Sequence, residues 1–479
     1  MRFNNRMTTR SVALVLAAGA LGSLSLAAAG PAAADVVEPF GKRYDASLYG
    51  DFTTVGNTVM GCPTTPADQA ARCATAADGR GGDDNDAFAM TRIDTASMAA
   101  GYGSSTGRVE IPAGAEVSYA RLFWGGNDGT YQGPDGTRRE RCDVSGGEAT
   151  PSPGDPATTA PRLRVGSGAG TEVSIDSMVT DPEEITGPHY YTGESDVTAA
   201  FAEVPGGATP VAVGNVWAAN GPGCVAGWSL TVVYAYPGPE PTHAPDRRRV
   251  YVYGGHVLQR PTSPATTVTV DGFHRTAGRA RAAVTAYDGD RNTPGDMFLV
   301  NGEKVTVPTG GTDGFFVGGT SGAVSPDAAD SLGIDARSFD LPDGAVPDGA
   351  DSADLTFRTA GDAYVPSALA FSVPVRDPDG TRPTPTPTPT PARTEAQARP
   401  AAASVAPSGS PSPTRPPAPP TPVPDPTTHQ ARPPAHGPGG SMAETGGNGE
   451  RLWLLGGLAL ALAATGAVAK AAMRSRHQP

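Results

Sequence analysis

The stretch AEVSYARLFWGG, residues 115–126, decides the fold class. Read with a period of two, it places Val117, Tyr119, Arg121 and Phe123 on one face and Ala120, Leu122 and Trp124 on the other. That alternation belongs to a strand, because successive side chains of a pleated backbone point to opposite faces. GWSLTVVYAYPG, residues 227–238, does the same: Trp228, Leu230, Val232 and Tyr234 alternate with Ser229, Thr231 and Val233. Further strands are expected at RRVYVYGG (248–255), TTVTVDGF (266–273), RAAVTAYDGD (281–290), FLVNGEKVTV (298–307), ADLTFRT (353–359) and SALAFSVPV (367–375). Asn301-Gly302 is a hairpin-turn signal. Helical periodicity never persists for three turns. The expectation is an all-β region over 35–376, a β-sandwich with jelly-roll or Greek-key connections, as one large domain or two lobes. PGPEPTHAPD, residues 237–246, is the expected lobe boundary or a long loop.

Outward from these strands, the chain changes character on both sides. From 377 to 440 it is rich in Pro, Thr, Ser and Ala, with RPTPTPTPTPART at 382–394 and SPSPTRPPAPPTPVPDP at 410–426. No Phe, Trp or Tyr falls between Phe371 and Trp453. Such a composition is expected to stay disordered and extended, a stalk of about 60 residues that reaches on the order of 190 Å. At the other end, Arg2, Arg6 and Arg10 precede an apolar run at 12–29 and the small residues Ala32, Ala33 and Ala34. This three-part layout reads as a signal peptide over 1–34, cut by signal peptidase between Ala34 and Asp35.

The C-terminal 441–479 carries a second set of signals. Met442, Ala443, Glu444, Thr445 and Gly446 are followed by a short spacer, an apolar stretch at 452–469 and a basic tail at 470–479. The apolar stretch, roughly 18 residues, is long enough for a membrane helix, and the basic flank stays cytoplasmic. The order of pentapeptide, spacer, helix and basic tail resembles the cell-wall sorting signals of Gram-positive surface proteins. In that family a sortase cysteine attacks the Thr–Gly carbonyl and a peptidoglycan amine resolves the acyl-enzyme. Ala443, Glu444, Thr445 and Gly446 match the variant with Ala in second place that belongs to class E sortases of high-GC actinobacteria. Met442 stands where Leu is usual, a residue of similar volume and polarity. The resemblance implies cleavage between Thr445 and Gly446, with the helix holding the precursor in the plasma membrane until then. Only three lysines, Lys42, Lys304 and Lys470, agree with a high-GC source.

A second resemblance lies in the strands themselves. VGNTVMGCP (55–63), ARLFWGG (120–126), AGWSLTVVYAY (226–236) and TAYDGDRNTPGD (285–296) look like an ectodomain seen in many secreted bacterial surface proteins. It would cover roughly 37–375 and implies an extracellular, β-rich fold without implying any activity.

The four cysteines, Cys62, Cys73, Cys142 and Cys224, fall in the exported part, where an even number points to two disulfides. Three pairings are possible; Cys62–Cys73 as a local loop and Cys142–Cys224 as a longer staple is favoured. No Cys-x-x-Cys or His-x-x-x-His is present to suggest zinc.

Chemistry is sparse. Gly103-Ser104-Ser105-Thr106-Gly107 fits G-x-S-x-G formally, but it reads as a polar loop entering a strand rather than a strand-to-helix elbow. His189, His243, His256 and His274 sit in no metalloprotease pattern and are expected at the surface or in loops. In DGDRNTPGD, Asp288, Asp290 and Asn292 alternate, with Asp296 beyond, which makes a calcium candidate; Thr293 and Leu299 depart from the EF-hand. A second acidic loop gathers Asp83, Asp84, Asn85 and Asp86. No other cofactor is expected. A net charge of −13 argues against nucleic acid as a partner, and the cluster Arg247-Arg248-Arg249 reads as a solvated strand entry. Trp124 and Trp228 are expected in the core. The reading is a non-enzymatic, cell-wall-anchored surface protein serving adhesion or surface structure, its ectodomain ligand unnamed. The alternative is an extracellular carbohydrate-binding module or a polysaccharide hydrolase.

Overall fold

The computed structural model describes residues 35–98, 101–306 and 314–376. Ten strands form its large sheet, nine of them along one continuous path. In chain order the nine are β1 (Asp35–Thr58), β2 (Glu116–Gln132), β3 (Ser177–Thr180), β4 (Gly187–Asp196) and β5 (Ala226–Tyr236). β6 (Arg248–Leu258), β7 (Arg281–Tyr287), β8 (Ile334–Asp340) and β9 (Val365–Pro374) complete the set. They lie side by side as β8-β7-β9-β6-β1-β5-β2-β4-β3, and Arg138–Arg139 pairs with β2 off this path. Every pairing is antiparallel.

β1 joins the two halves of this sheet. Its first part, from Asp35 to Leu48, pairs with β6 through three register shifts, and its second, from Tyr49 to Thr58, runs in continuous register with β5. The 237–246 segment is the connection from β5 to β6, the two strands that flank β1. The apolar core divides at the same place. One cluster packs Leu122, Trp124, Trp228, Leu230 and Val232 against Val109, Ile111, Leu163, Val211 and Val213. The latter belong to a smaller sheet that includes Gly103–Ile111, Gly207–Val216 and Arg162–Val165. The second cluster packs Tyr251, Tyr253 and Phe371 with Phe298, Leu355 and Phe357 of a four-stranded sheet. A third lies on the reverse face of the large sheet and holds Phe52, Tyr119, Phe123, Val233, Val250 and Val252. The period-two reading of 115–126 therefore separates two real cores: Leu122 and Trp124 enter the first, Tyr119 and Phe123 the third. Burying both faces removes apolar area from water twice per strand, at about 25 cal/mol per Å².

The Asn301-Gly302 turn forms as expected, with φ of 52° and 84°, and Val300 pairs with Glu303 across it. Such a turn needs positive φ at both central residues, which Asn and Gly tolerate best. Several elements were not expected: most of β1, β4, β8 and the strand Gly207–Val216 lie outside the stretches read as strands, and one element is not a strand at all. Ala67–Ala77 is an 11-residue α-helix, built from alanine-rich sequence of high helix propensity, and it buries only Cys73 and Ala76. So narrow an apolar face is nearly invisible as periodicity. A disulfide to Cys62 pins it instead.

Candidate functional site

Both expected disulfides are present, Cys62–Cys73 and Cys142–Cys224, and no described cysteine is free. Asp35, the residue after the expected signal cleavage, opens β1. Ala34 and the segments 1–34, 377–440 and 441–479 lie outside the described residues, and with them Met442, Ala443, Glu444, Thr445 and Gly446. Among the described residues no helix is long and apolar enough to cross a membrane.

Several expectations are corrected by burial. Gly103 to Gly107 is itself part of a strand, not a loop, with Ser104 and Ser105 fully buried. Ser105 Oγ accepts the indole N–H of Trp228 at 2.8 Å, and Ser104 donates to Asp94. Neither hydroxyl is presented to a substrate. His189 and His256 are buried rather than superficial. Arg248 and Arg249 do not simply enter solvent: Arg248 Nε lies 3.1 Å from buried Asp51 and Arg249 Nε 2.5 Å from Asp45. Trp124 and Trp228 are core residues, as expected.

His256 completes a set that sequence order conceals. Thr192 Oγ1 lies 2.8 Å from His256 Nδ1, and His256 Nε2 lies 2.9 Å from Asp181 Oδ1. A hydroxyl, an imidazole and a carboxylate in line are the parts of a nucleophile and its base. Access decides the matter. The cavity beside Thr192, lined also by Glu38, Phe123, Glu194 and Ser367, holds about 10 Å³. That is room for one water and not for a substrate. These residues instead tie β4 to β6. Nearby, Arg43 of β1 and Arg121 of β2 meet Glu194 of β4 at 2.5 and 2.9 Å.

The more open chemistry lies where the two acidic loops converge. Asn292 donates from its side chain to Asp84 Oδ1 at 3.0 Å and to the Asp83 carbonyl at 3.2 Å. Asn85 donates to Asp288 Oδ1 at 3.1 Å, and the Tyr190 hydroxyl donates to the other oxygen of Asp288. Asn292 is thus an exposed loop clasp turned to Asp84. Asp362, which nothing in the sequence singles out, arrives from the turn before β9, and its carboxyl meets that of Asp290. Burial, reinforced by Asp143 and Asp362, raises Asp288; burial and the facing carboxylates of Asp288, Asp362 and Asp84 raise Asp290. Asp296 is pushed up to about 8, first by burial and then by Asp362. The Thr359 hydroxyl is close enough to offset part of that rise, yet neither Asp296 oxygen has a partner in hydrogen-bonding geometry. Chemically this cleft can retain protons or accept a hard cation. Among the described residues no three acidic, His or Cys side chains already converge as a metal cage.

Two surface hollows lie elsewhere among the described residues. One of about 300 Å³ is lined by Thr106, Arg108, Arg164, Pro210 and Val324; it has no aromatic ring on which a sugar would stack. The other, about 420 Å³, lies around Tyr49, Asp246, Arg247 and Arg376.

No protein-family model matches the chain, and no curated protein matches it.

Proposed function

We infer that this is a non-enzymatic surface protein, exported, carried on a Pro-rich stalk and attached to peptidoglycan through Thr445. The observation that carries the reading is the pairing of all four cysteines in the β-region. Disulfides persist where the environment is oxidising, which is the compartment that the signal at 1–34 and the pentapeptide at 442–446 imply. The sealing of the Thr192–His256–Asp181 set supports a role in display rather than turnover. Adhesion or surface structure is the task that remains for a rigid β-body on a stalk.

Its test is the fate of the C-terminus. The mature protein should end at Thr445 and leave the cells on muralytic digestion, not on detergent extraction. Thr445→Ala should accumulate as a longer, detergent-soluble membrane form. If wild type and variant both extract with detergent at full precursor length, the stretch at 452–469 is an ordinary membrane anchor and the reading fails.

A further inference from the structure

The carboxylates that this fold buries completely follow a rule with one exception. Asp51 receives Phe52 N–H, Ser372 Oγ and two arginines; Asp181 receives Tyr190 N–H and His256. Glu194 meets Arg43 and Arg121; Asp330 meets Leu332 N–H and Arg291; Asp335 meets two backbone N–H groups and Arg337. Asp296, with no exposed surface, has no hydrogen-bond or ionic partner at either oxygen. One oxygen of Asp362, beside it, is also buried and unpartnered. A buried polar group left unanswered is destabilising, and more so when charged, so such an exception needs an explanation.

We propose that Asp290, Asp296 and Asp362, flanked by Asp288 and Asp84, form a calcium-binding site that locks the loop after β7 to the turn before β9. The site stands independently of how the C-terminus is anchored. The donors are all oxygens, which selects a hard cation. They sit on loops, and calcium tolerates the irregular geometry of six to eight oxygens at about 2.3–2.6 Å that such loops can supply, whereas magnesium demands a tighter octahedron. Asp290 and Asp362 are mostly but not completely buried, so they lie nearer solvent than Asp296. The side chains are not yet gathered around one point. Binding would draw them inward and supply the positive charge that Asp296 lacks.

The test uses the full chain, stripped with chelator and titrated with calcium chloride, with magnesium chloride in parallel, while the melting temperature and the heat of binding are followed. Calcium should raise the melting temperature saturably, with one ion per chain, and magnesium should do so less. Asp296→Asn should show a sign reversal: more stable than wild type without calcium, because an unanswered carboxyl is gone, and less stable with it. Calcium affinity should fall at least about tenfold, the loss of one charged ligand. Asp362→Asn, at a less completely buried position, should also weaken calcium and serves if Asp296→Asn does not fold. Asp343→Asn, far out in solvent, should change nothing. No calcium-dependent shift in the wild type, or a shift that survives both substitutions, would overturn the proposal and leave carboxyls that simply keep their protons.

Discussion

His256 shows how a side chain that looks catalytic in isolation works structurally. Its ring bridges Thr192 on β4 and Asp181 just after β3, with all three buried. His256→Ala would remove the donor to Asp181 and leave a hydroxyl and a carboxylate short of partners. Leaving a buried hydrogen-bonding group without its partner costs about 1–3 kcal/mol. Urea denaturation should therefore show a large fall in the midpoint for His256→Ala, with His256→Gln recovering part of it by keeping one hydrogen bond. Equal midpoints for wild type and His256→Ala would mean that the network contributes nothing. Trp228 is the matching apolar case: its indole fills the first core and its N–H is answered by Ser105. Trp228→Phe retains most of the buried area and should cost no more than about 2–3 kcal/mol, the lost hydrogen bond and the unfilled space together.

At the scale of elements, β1 and the disulfides carry the argument. Gly50 sits just past the point where β1 passes from β6 to β5, and a Cβ built there would lie 1.9 Å from the Tyr234 carbonyl oxygen. Gly50→Ala must push the β1 and β5 backbones apart. A loss of about 1–3 kcal/mol or more is expected, read as a lower denaturation midpoint. The two disulfides should differ in what they contribute. Cys142–Cys224 closes a separation of 82 residues and Cys62–Cys73 one of 11. Chain-entropy arithmetic gives about 4.5 kcal/mol for the long loop and about 3 for the short one. Replacing Cys142 and Cys224 together by serine should thus lower stability more than replacing Cys62 and Cys73. The reverse order would show that pinning the 67–77 helix matters more than restricting the unfolded chain.

For the whole molecule, the strand shared by both halves has a thermodynamic consequence. β1 supplies pairing to β5 and β6 alike, and the third cluster draws Tyr119 and Val233 together with Val250 and Val252. Neither half can lose its pairing without exposing an edge and apolar surface of the other. Heating should give one cooperative transition for the β-region, monitored by near-ultraviolet and far-ultraviolet circular dichroism alike. Two separated transitions would mean that the cores around Trp228 and around Phe357 unfold as independent domains.

The sequence by itself determined the all-β class, the strands with clear alternation such as β2 and β5, the core tryptophans, the Asn301-Gly302 turn and the favoured disulfide pairs, but not most of β1, nor β4 or β8. Most are local properties, alternation of side chains, turn chemistry or the short spacing of Cys62 and Cys73; Cys142–Cys224, 82 residues apart, follows once that local pair is made. The helix at 67–77 escaped because only two of its residues are buried and a disulfide takes the place of an apolar stripe. The candidate site was half legible. Asp288, Asp290, Asn292 and Asp296 stood out as a loop, and Asp84 in another, but nothing indicated that Asn292 would clasp Asp84 or that Asp362 would meet Asp290. Tertiary structure alone decided that meeting, as it decided that Thr192, His256 and Asp181 would align and then be sealed from solvent. Pairing between distant strands sets which loops share one end of a sheet, and burial, not residue type, sets whether a carboxylate is answered by the chain or left for a cation.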